Sequence, residues 1–504
     1  MITPRKGADF RAPFRGFSFV PKIAHGPAGG REQVSIRTRF RALLLILVVL
    51  SSLTAISQDE ERQKLDQMYQ TAVADYEGQR YPKAASELEA LLPFATKSYE
   101  VHELLGMIYV SLSEREKAIQ QLKLAVQLKP DSAAGRINLG TILFQSGQAA
   151  LAGEQFQEAL KLDPASYDAN HDLGELYVHS GKVAEAQPLL ERAQQVDPSS
   201  YDNAYDLAMA DFLLGRLDAS REIVQKLVKA RDASELHNLL GQIEEKDGKF
   251  VEAVNQFEAA AHMDSSEENL FDWASELLLH MTYEPAISVY QEGAKRFPDS
   301  PRMWVGLGLS LYSRGKYDDA VKALIRAADL TPNDARCYLF LSKAYESSPA
   351  QADDVIQRFR RYSEAHPENA RAKYYYAVSL WKGKRGGDQA VDLSAVEALL
   401  RNAVAIDDAL PEAHVQLGNL YADQHSYEKS IPEYVRALEL NPGLSDAHYR
   451  LGTDYVHVGK KEQAQQEFEV YRKLRAQQLA EIDKERAEVR QFVYSTAGAA
   501  PNKP

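Results

Sequence analysis

The sequence predicts an all-α fold, a solenoid of antiparallel helix pairs. Three observations carry that expectation. Gly106, Gly140 and Gly174 stand 34 residues apart. Alanines follow each glycine at two fixed distances, Ala118, Ala152 and Ala186, then Ala125, Ala159 and Ala193. Pro130, Pro164 and Pro198 close the stretches that begin at Tyr99, Ala133 and Tyr167. A period of this length, with small residues at positions eight, twenty and twenty-seven, describes one helical hairpin repeated in register. A solenoid is a surface for holding other molecules rather than a pocket for chemistry.

Each residue type in the frame has a physical reason. Leu105, Leu139 and Leu173 at position seven share a helix face with Tyr109, Leu143 and Tyr177 at position eleven. Position four lies just behind them. The second helix offers the alanines at twenty and twenty-seven, with Leu122, Phe156 and Leu190 between them at twenty-four. These two faces pack on each other. Gly or Ala at eight and twenty lets the helices approach where a larger side chain would hold them apart. Proline cannot continue a helical ladder, so it marks the stop.

At this point the chain resembles the tetratricopeptide repeat family. Gly308 keeps Trp304, Leu307, Ala320, Leu324, Ala327 and Pro332 around it. Gly418 keeps Leu417, Tyr421, Tyr434, Ala437 and Pro442, and Gly241 and Gly452 keep shorter versions. Degenerate units begin near Leu65, Tyr201, Glu267, Ala335 and Ala370, the last with an insertion around Gly383 to Ser394. The resemblance implies about twelve units over 59–472 and a right-handed superhelix of helix pairs. It also implies a concave groove lined by positions two, five, nine and twelve of the first helices.

The N-terminal end reads as a targeting segment. Residues 1–41 hold nine Lys or Arg against Asp9 and Glu32, and 42–58 carry no charge. A basic flank, a short apolar run and small residues at Ala55 and Ser57 have the layout of a secretory signal. Cleavage after Ser57 and retention as a membrane anchor are both open, and either sends the repeats out of the cytoplasm. The net charge of −13, less +7 for residues 1–41, leaves −20 for the remainder. So acidic an array disfavours nucleic acid. Cys337 is the only cysteine, so no internal disulfide forms. At the other end, 473–494 reads as a capping helix, with Phe468, Tyr471 and Leu474 supplying its inner face and a coiled-coil contact as the alternative. Residues 495–504 read as a disordered tail.

No catalytic motif is found: there is no nucleophile elbow, no phosphate loop and no Cys pair. The expectation is a non-enzymatic protein with no cofactor. Sugar-transferring members of the family carry asparagine at position six, but here that position holds Asn138, then Asp172, Asp206, Gln416 and Arg450. His171, Glu175 and His179 stand four residues apart on one helix face and are ordinary zinc ligand types. The competing reading is a solvated face with coincidental spacing.

The stronger binding signal is a basic, aromatic stretch. Residues 358–385 hold eight Lys or Arg against Glu364 and Glu368. In the family register Tyr374 and Trp381 are fifth and twelfth in one unit, Lys343 is ninth in the unit before, and Tyr312 is twelfth before that. Aromatic faces with cations suit an extended peptide with apolar and acidic side chains. The competing reading is a solvated loop plus inter-repeat packing. The sequence therefore points to an extracytoplasmic scaffold for protein or peptide partners. The alternative is a carrier or sensor for a small molecule or polysaccharide in an envelope assembly or export machine.

Overall fold

The computed structural model describes residues 62–348, 351–383 and 392–498, with side chains through residue 480. The basic segment 1–41, the apolar segment 42–58 with its cleavage site, residues 384–391 of the insertion and residues 499–504 lie outside the described residues. No strand occurs among the described residues. The chain divides into two compact units after Ile223.

In the first unit, a helix over 62–77 pairs with Tyr81–Leu91, Tyr99–Ser111 with Arg115–Leu128, Ala133–Gln145 with Ala149–Leu162, and Tyr167–His179 with Val183–Val196. Tyr201–Leu213 follows, and the helix Leu217–Ala230 carries the unit boundary. In the second unit, Ser234–Lys246 pairs with Phe250–Met263, Glu267–Leu279 with Tyr283–Arg296, and Pro301–Ser313 with Tyr317–Leu330. Ala335–Ser347 then pairs with Ala352–Ala365, Ala370–Gly383 with Leu393–Ile406, Pro411–Asp423 with Tyr427–Leu440, and Ser445–His457 with Lys461–Gly498.

Local chemistry starts and stops these helices. Ser98, Ser132, Ser166, Ser200, Ser266 and Ser300 cap six first helices, each hydroxyl accepting from the backbone N–H three residues on. Such caps satisfy a donor that the helix itself cannot. First helices end two residues before a left-handed turn position. Gly147 and Gly181 take φ of 74° and 72° there, which costs glycine nothing. Ser113, Met281 and His425 hold the same turn at φ of 61°, 57° and 58°.

The frame glycines act differently from the sequence expectation. The close neighbour of position eight is the side chain at position twenty-four of the same hairpin, rather than a facing backbone. A Cβ on Gly106 would lie 2.6 Å from Leu122 Cγ, on Gly140 2.5 Å from Phe156 Cε1, and on Gly174 2.7 Å from Leu190 Cδ2. Gly241 with Phe257, Gly308 with Leu324, Gly418 with Tyr434 and Gly452 with Phe468 repeat the contact. Phe156 is fully buried, as are Ala118, Ala152 and Ala186, so its ring has no free volume to enter. Gly140→Leu is therefore expected to destabilise the first unit by about 1–3 kcal/mol. Thermal unfolding by circular dichroism checks this. An unchanged melting curve would be incompatible with the packing of Phe156.

The last helix covers the end of the second unit. Ala464 is buried in the final cluster and Phe468 packs against it. The Tyr471 ring lies 5.2 Å from that of Tyr449, and Leu474 is half-buried. Leu479 is already 56% exposed, so apolar cover stops there. The helix continues to Gly498, past the start of the segment read as a disordered tail. A helix can persist there because 481–497 contains no Gly or Pro.

Candidate functional site

The His171, Glu175 and His179 trio does not converge. His171 is buried and turned to the next first helix, with Nδ1 3.3 Å from Asn203 Oδ1 and 3.9 Å from Asp206 Oδ2. Its ring stacks on Tyr167 at 5.5 Å. His179 instead lies beside Glu175, Nε2 to Oε1 at 3.7 Å, and that carboxylate raises the imidazole pKa. No group of three or more His, Cys, Asp or Glu able to hold a metal occurs among the described residues. The spacing was right for one helix face, but side chains one turn apart found different neighbours.

The predicted peptide site also changes character. Tyr374 and Trp381 are only 7% and 6% exposed and belong to the core of the second unit. They are packing residues rather than open groove contacts. Burial, and secondarily Glu346, holds the Tyr374 hydroxyl well above its ordinary pKa. That hydroxyl donates to Glu346 Oε1 at 3.4 Å, and Lys382 approaches Glu346 Oε2 at 3.5 Å. Tyr312 is half-buried with its ring 5.5 Å from Tyr317 on its own second helix. Lys343 is exposed.

The basic stretch is not one patch either. Arg358 and Arg360 sit on the second helix Ala352–Ala365. Arg358 pairs with Asp329 at 2.7 Å, and Arg360 Nε donates to the Tyr376 hydroxyl at 2.9 Å. Lys373 Nζ donates to the Ser363 carbonyl at 3.0 Å. Adjacency in sequence had put on one surface what the hairpin distributes over two helices.

Polar links between successive first helices were missed by the sequence reading. In three units a polar side chain at position six reaches back to the preceding repeat. Asn138 donates to Glu103 at 3.2 Å, Asp172 accepts from Thr141 at 2.8 Å, and Asp272 accepts from Asn238 at 3.0 Å. Asp172 is buried, and desolvation raises its carboxyl to about 7, against a lowering by the Thr141 hydrogen bond. Thr141 Oγ1 also lies 3.0 Å from the Ile137 carbonyl. A protonated Asp172 can thus donate to Thr141 while Thr141 donates to Ile137, and all three groups are satisfied.

Position four makes a second recurring link. It joins the loop six residues back to the second helix nineteen residues on. His102 contacts the Thr96 carbonyl and Gln121, and Arg136 donates to the Pro130 carbonyl and Gln155. His414 contacts the Asp408 carbonyl and Glu433, and His448 the Pro442 carbonyl and Glu467. Trp304 and Tyr338 donate to the carbonyls of Pro298 and Pro332. The signal in the sequence was Gln or Glu nineteen residues after the polar residue.

Sequence models described as tetratricopeptide repeat match residues 99–132, 143–194, 180–243, 282–335 and 411–444. Protein O-mannosyl-transferase TMTC3 of Mus musculus is 22% identical over 200 residues, 37% of this chain and 20% of that protein. Its Homo sapiens counterpart is 22% identical over 204 residues, 38% of this chain and 20% of that protein. The chain therefore spans about a fifth of the length of the curated relatives it matches. Among solved structures, PilW, a type IV pilus biogenesis factor, aligns at 24% identity and a TM-score of 0.36, covering 40% of this chain and 93% of that one. Yeast Tom70 aligns at 14% identity and a TM-score of 0.34, covering 86% and 96%. The matched segments lie on the hairpins whose position-eight glycines pack against position twenty-four, and the chain is a tetratricopeptide repeat protein.

Proposed function

We propose that this chain is an interaction scaffold, holding extended protein segments on the first-helix faces of its repeats, outside the cytoplasm. The observation that supports binding is what those faces leave uncovered. Val305, Leu309, Tyr312 and Leu339, at positions five, nine and twelve, are half-buried, while Tyr449 and Val456 are 51% and 52% exposed. The alanines at twenty and twenty-seven, by contrast, are consumed by packing. Rows of half-covered apolar groups suit a partner that supplies the missing cover. The transferase activity named for the mammalian relatives is theirs; the region in common is a fifth of each.

Photo-cross-linking in intact cells tests the reading. A cross-linker at Leu339 or Val456 is expected to capture discrete proteins, and one at Lys322 on a second helix is not. Equal capture at both faces, or glycan rather than protein at Leu339, would overturn it in favour of the carrier alternative.

The location rests on residues 1–58, where a basic flank precedes an apolar run. No helix among the described residues is long and apolar enough to cross a membrane. A reporter active only in the cytoplasm, fused after Pro504, is expected to be silent. Sequencing the mature N-terminus separates cleavage, with Gln58 first, from an anchor with the basic segment intact. An active fusion on a cytosolic protein would refute the location.

A further inference from the structure

Position two of each first helix lies in its first turn, beside unsatisfied backbone N–H groups. Acids are favoured there and cations disfavoured, because that helix end carries partial positive charge. In the second unit the position holds, in chain order, Glu235, Glu268, Arg302, Arg336, Arg371, Glu412 and Asp446. Four residues follow the rule and three consecutive ones break it. The helix dipole does not account for these arginines.

The three form a row, because the first helices Glu267–Leu279, Pro301–Ser313, Ala335–Ser347 and Ala370–Gly383 adjoin in succession. Arg336 is 81% exposed, Arg302 is 42% exposed and Arg371 is exposed. Their partners within the chain are exposed or partly exposed acids, Glu267 for Arg302 at 2.6 Å and Asp334 for Arg336 at 2.7 Å. Such pairs are weak and exchange readily. Arg371 lies beside Tyr375. Arg302 also stacks 4.9 Å over the Phe271 ring, which holds its guanidinium in place. Along the row run half-buried Val305 and Leu339, then exposed Lys343.

We infer that this strip binds an extended acidic polypeptide segment, with carboxylates about three residues apart and apolar side chains between them. The inference rests on the scaffold reading and names its partner class. Packed helices lie about 8–10 Å apart, and an extended chain advances about 3.3 Å per residue, so one arginine meets every third residue. Arginine suits carboxylates because its fork makes paired hydrogen bonds. The row is bounded by Glu268 on one side and Glu412 on the other. A long polyanion such as nucleic acid would meet like charge at both ends, whereas a short segment does not.

The test uses the full chain and a fluorescent nine-residue peptide of Ala and Leu with Glu at its second, fifth and eighth positions. Combining Arg302→Glu, Arg336→Glu and Arg371→Glu is expected to weaken binding at least tenfold. The helical circular dichroism should be retained, because the acid restored to each helix N-terminus offsets in part the lost pairs with Glu267 and Asp334. A peptide of the same composition with its three Glu adjacent should bind more weakly. Equal binding by the triple variant, indifference to Glu spacing, or tighter binding of a twenty-residue oligodeoxythymidine at the same arginines would each overturn the assignment. Cross-linking separates the two levels. Partners captured equally by the triple variant sink the strip and leave the scaffold standing. An absence of partners for the wild type sinks the scaffold.

Discussion

Trp381→Ala is expected to destabilise the second unit by about 3–5 kcal/mol, the loss seen when a large aromatic is truncated inside a core. Trp381 is 6% exposed and shares its cluster with Tyr345, Tyr374 and Leu400. Its helix, Ala370–Gly383, adjoins the first helix before it and the second helix after it, so the cavity would open where repeats stack. In a repeat array stability is close to a sum of neighbouring terms, so the loss should be local. Hydrogen exchange is expected to quicken in Ala370–Gly383 and Ala335–Ser347 and to stay unchanged in Tyr99–Ser111. Wild-type exchange throughout, together with loss of a cross-linked partner, would return Trp381 to a surface role.

Asp172→Asn is expected to stabilise the first unit at pH 8 and to remove a pH dependence below that. The folded-state pKa of Asp172 is raised from the usual value of 3.8 to about 7 by burial. The folded chain therefore keeps a proton that the unfolded chain releases above about pH 4. Stability falls as pH rises from about 4 to about 7 and is level above, because there both states are ionised. The magnitude is on the order of 2–4 kcal/mol. Asparagine keeps the shape and donates to Thr141 as the protonated acid does, without a charge to desolvate. Thermal melts of both proteins at pH 5 and pH 8 decide it. The variant's advantage should be largest at pH 8 and clearly smaller at pH 5; an equal difference at both pH values would refute the role of the proton.

Much of the fold was legible because close packing leaves periodic marks. A glycine that must clear Phe156 or Leu190, and alanines with no exposed surface, recur wherever the hairpin recurs. The candidate site was less legible. Position assigned Tyr374 and Trp381 to the groove, yet large aromatics at positions five and twelve fold inward when neighbouring repeats leave room for them. The same positions stay open at Tyr449 and Val456, beside the last helix. Which of two identical register positions is covered depends on the neighbour's size and lies outside a single repeat's pattern.

The sequence alone specifies the helical hairpin, its register and the residues that must be small, because these follow from contacts within one repeat and its immediate neighbour. It also carried the arginines at position two, whose anomaly needs only the helix start to be known. Packing between helices settles which side chains face solvent, which cations are taken by intrachain acids, and that His171 and His179 part company. It also decided that Asp172 is buried enough to hold a proton near neutrality. Those outcomes depend on desolvation and on distances between separate helices, and a one-dimensional period carries neither.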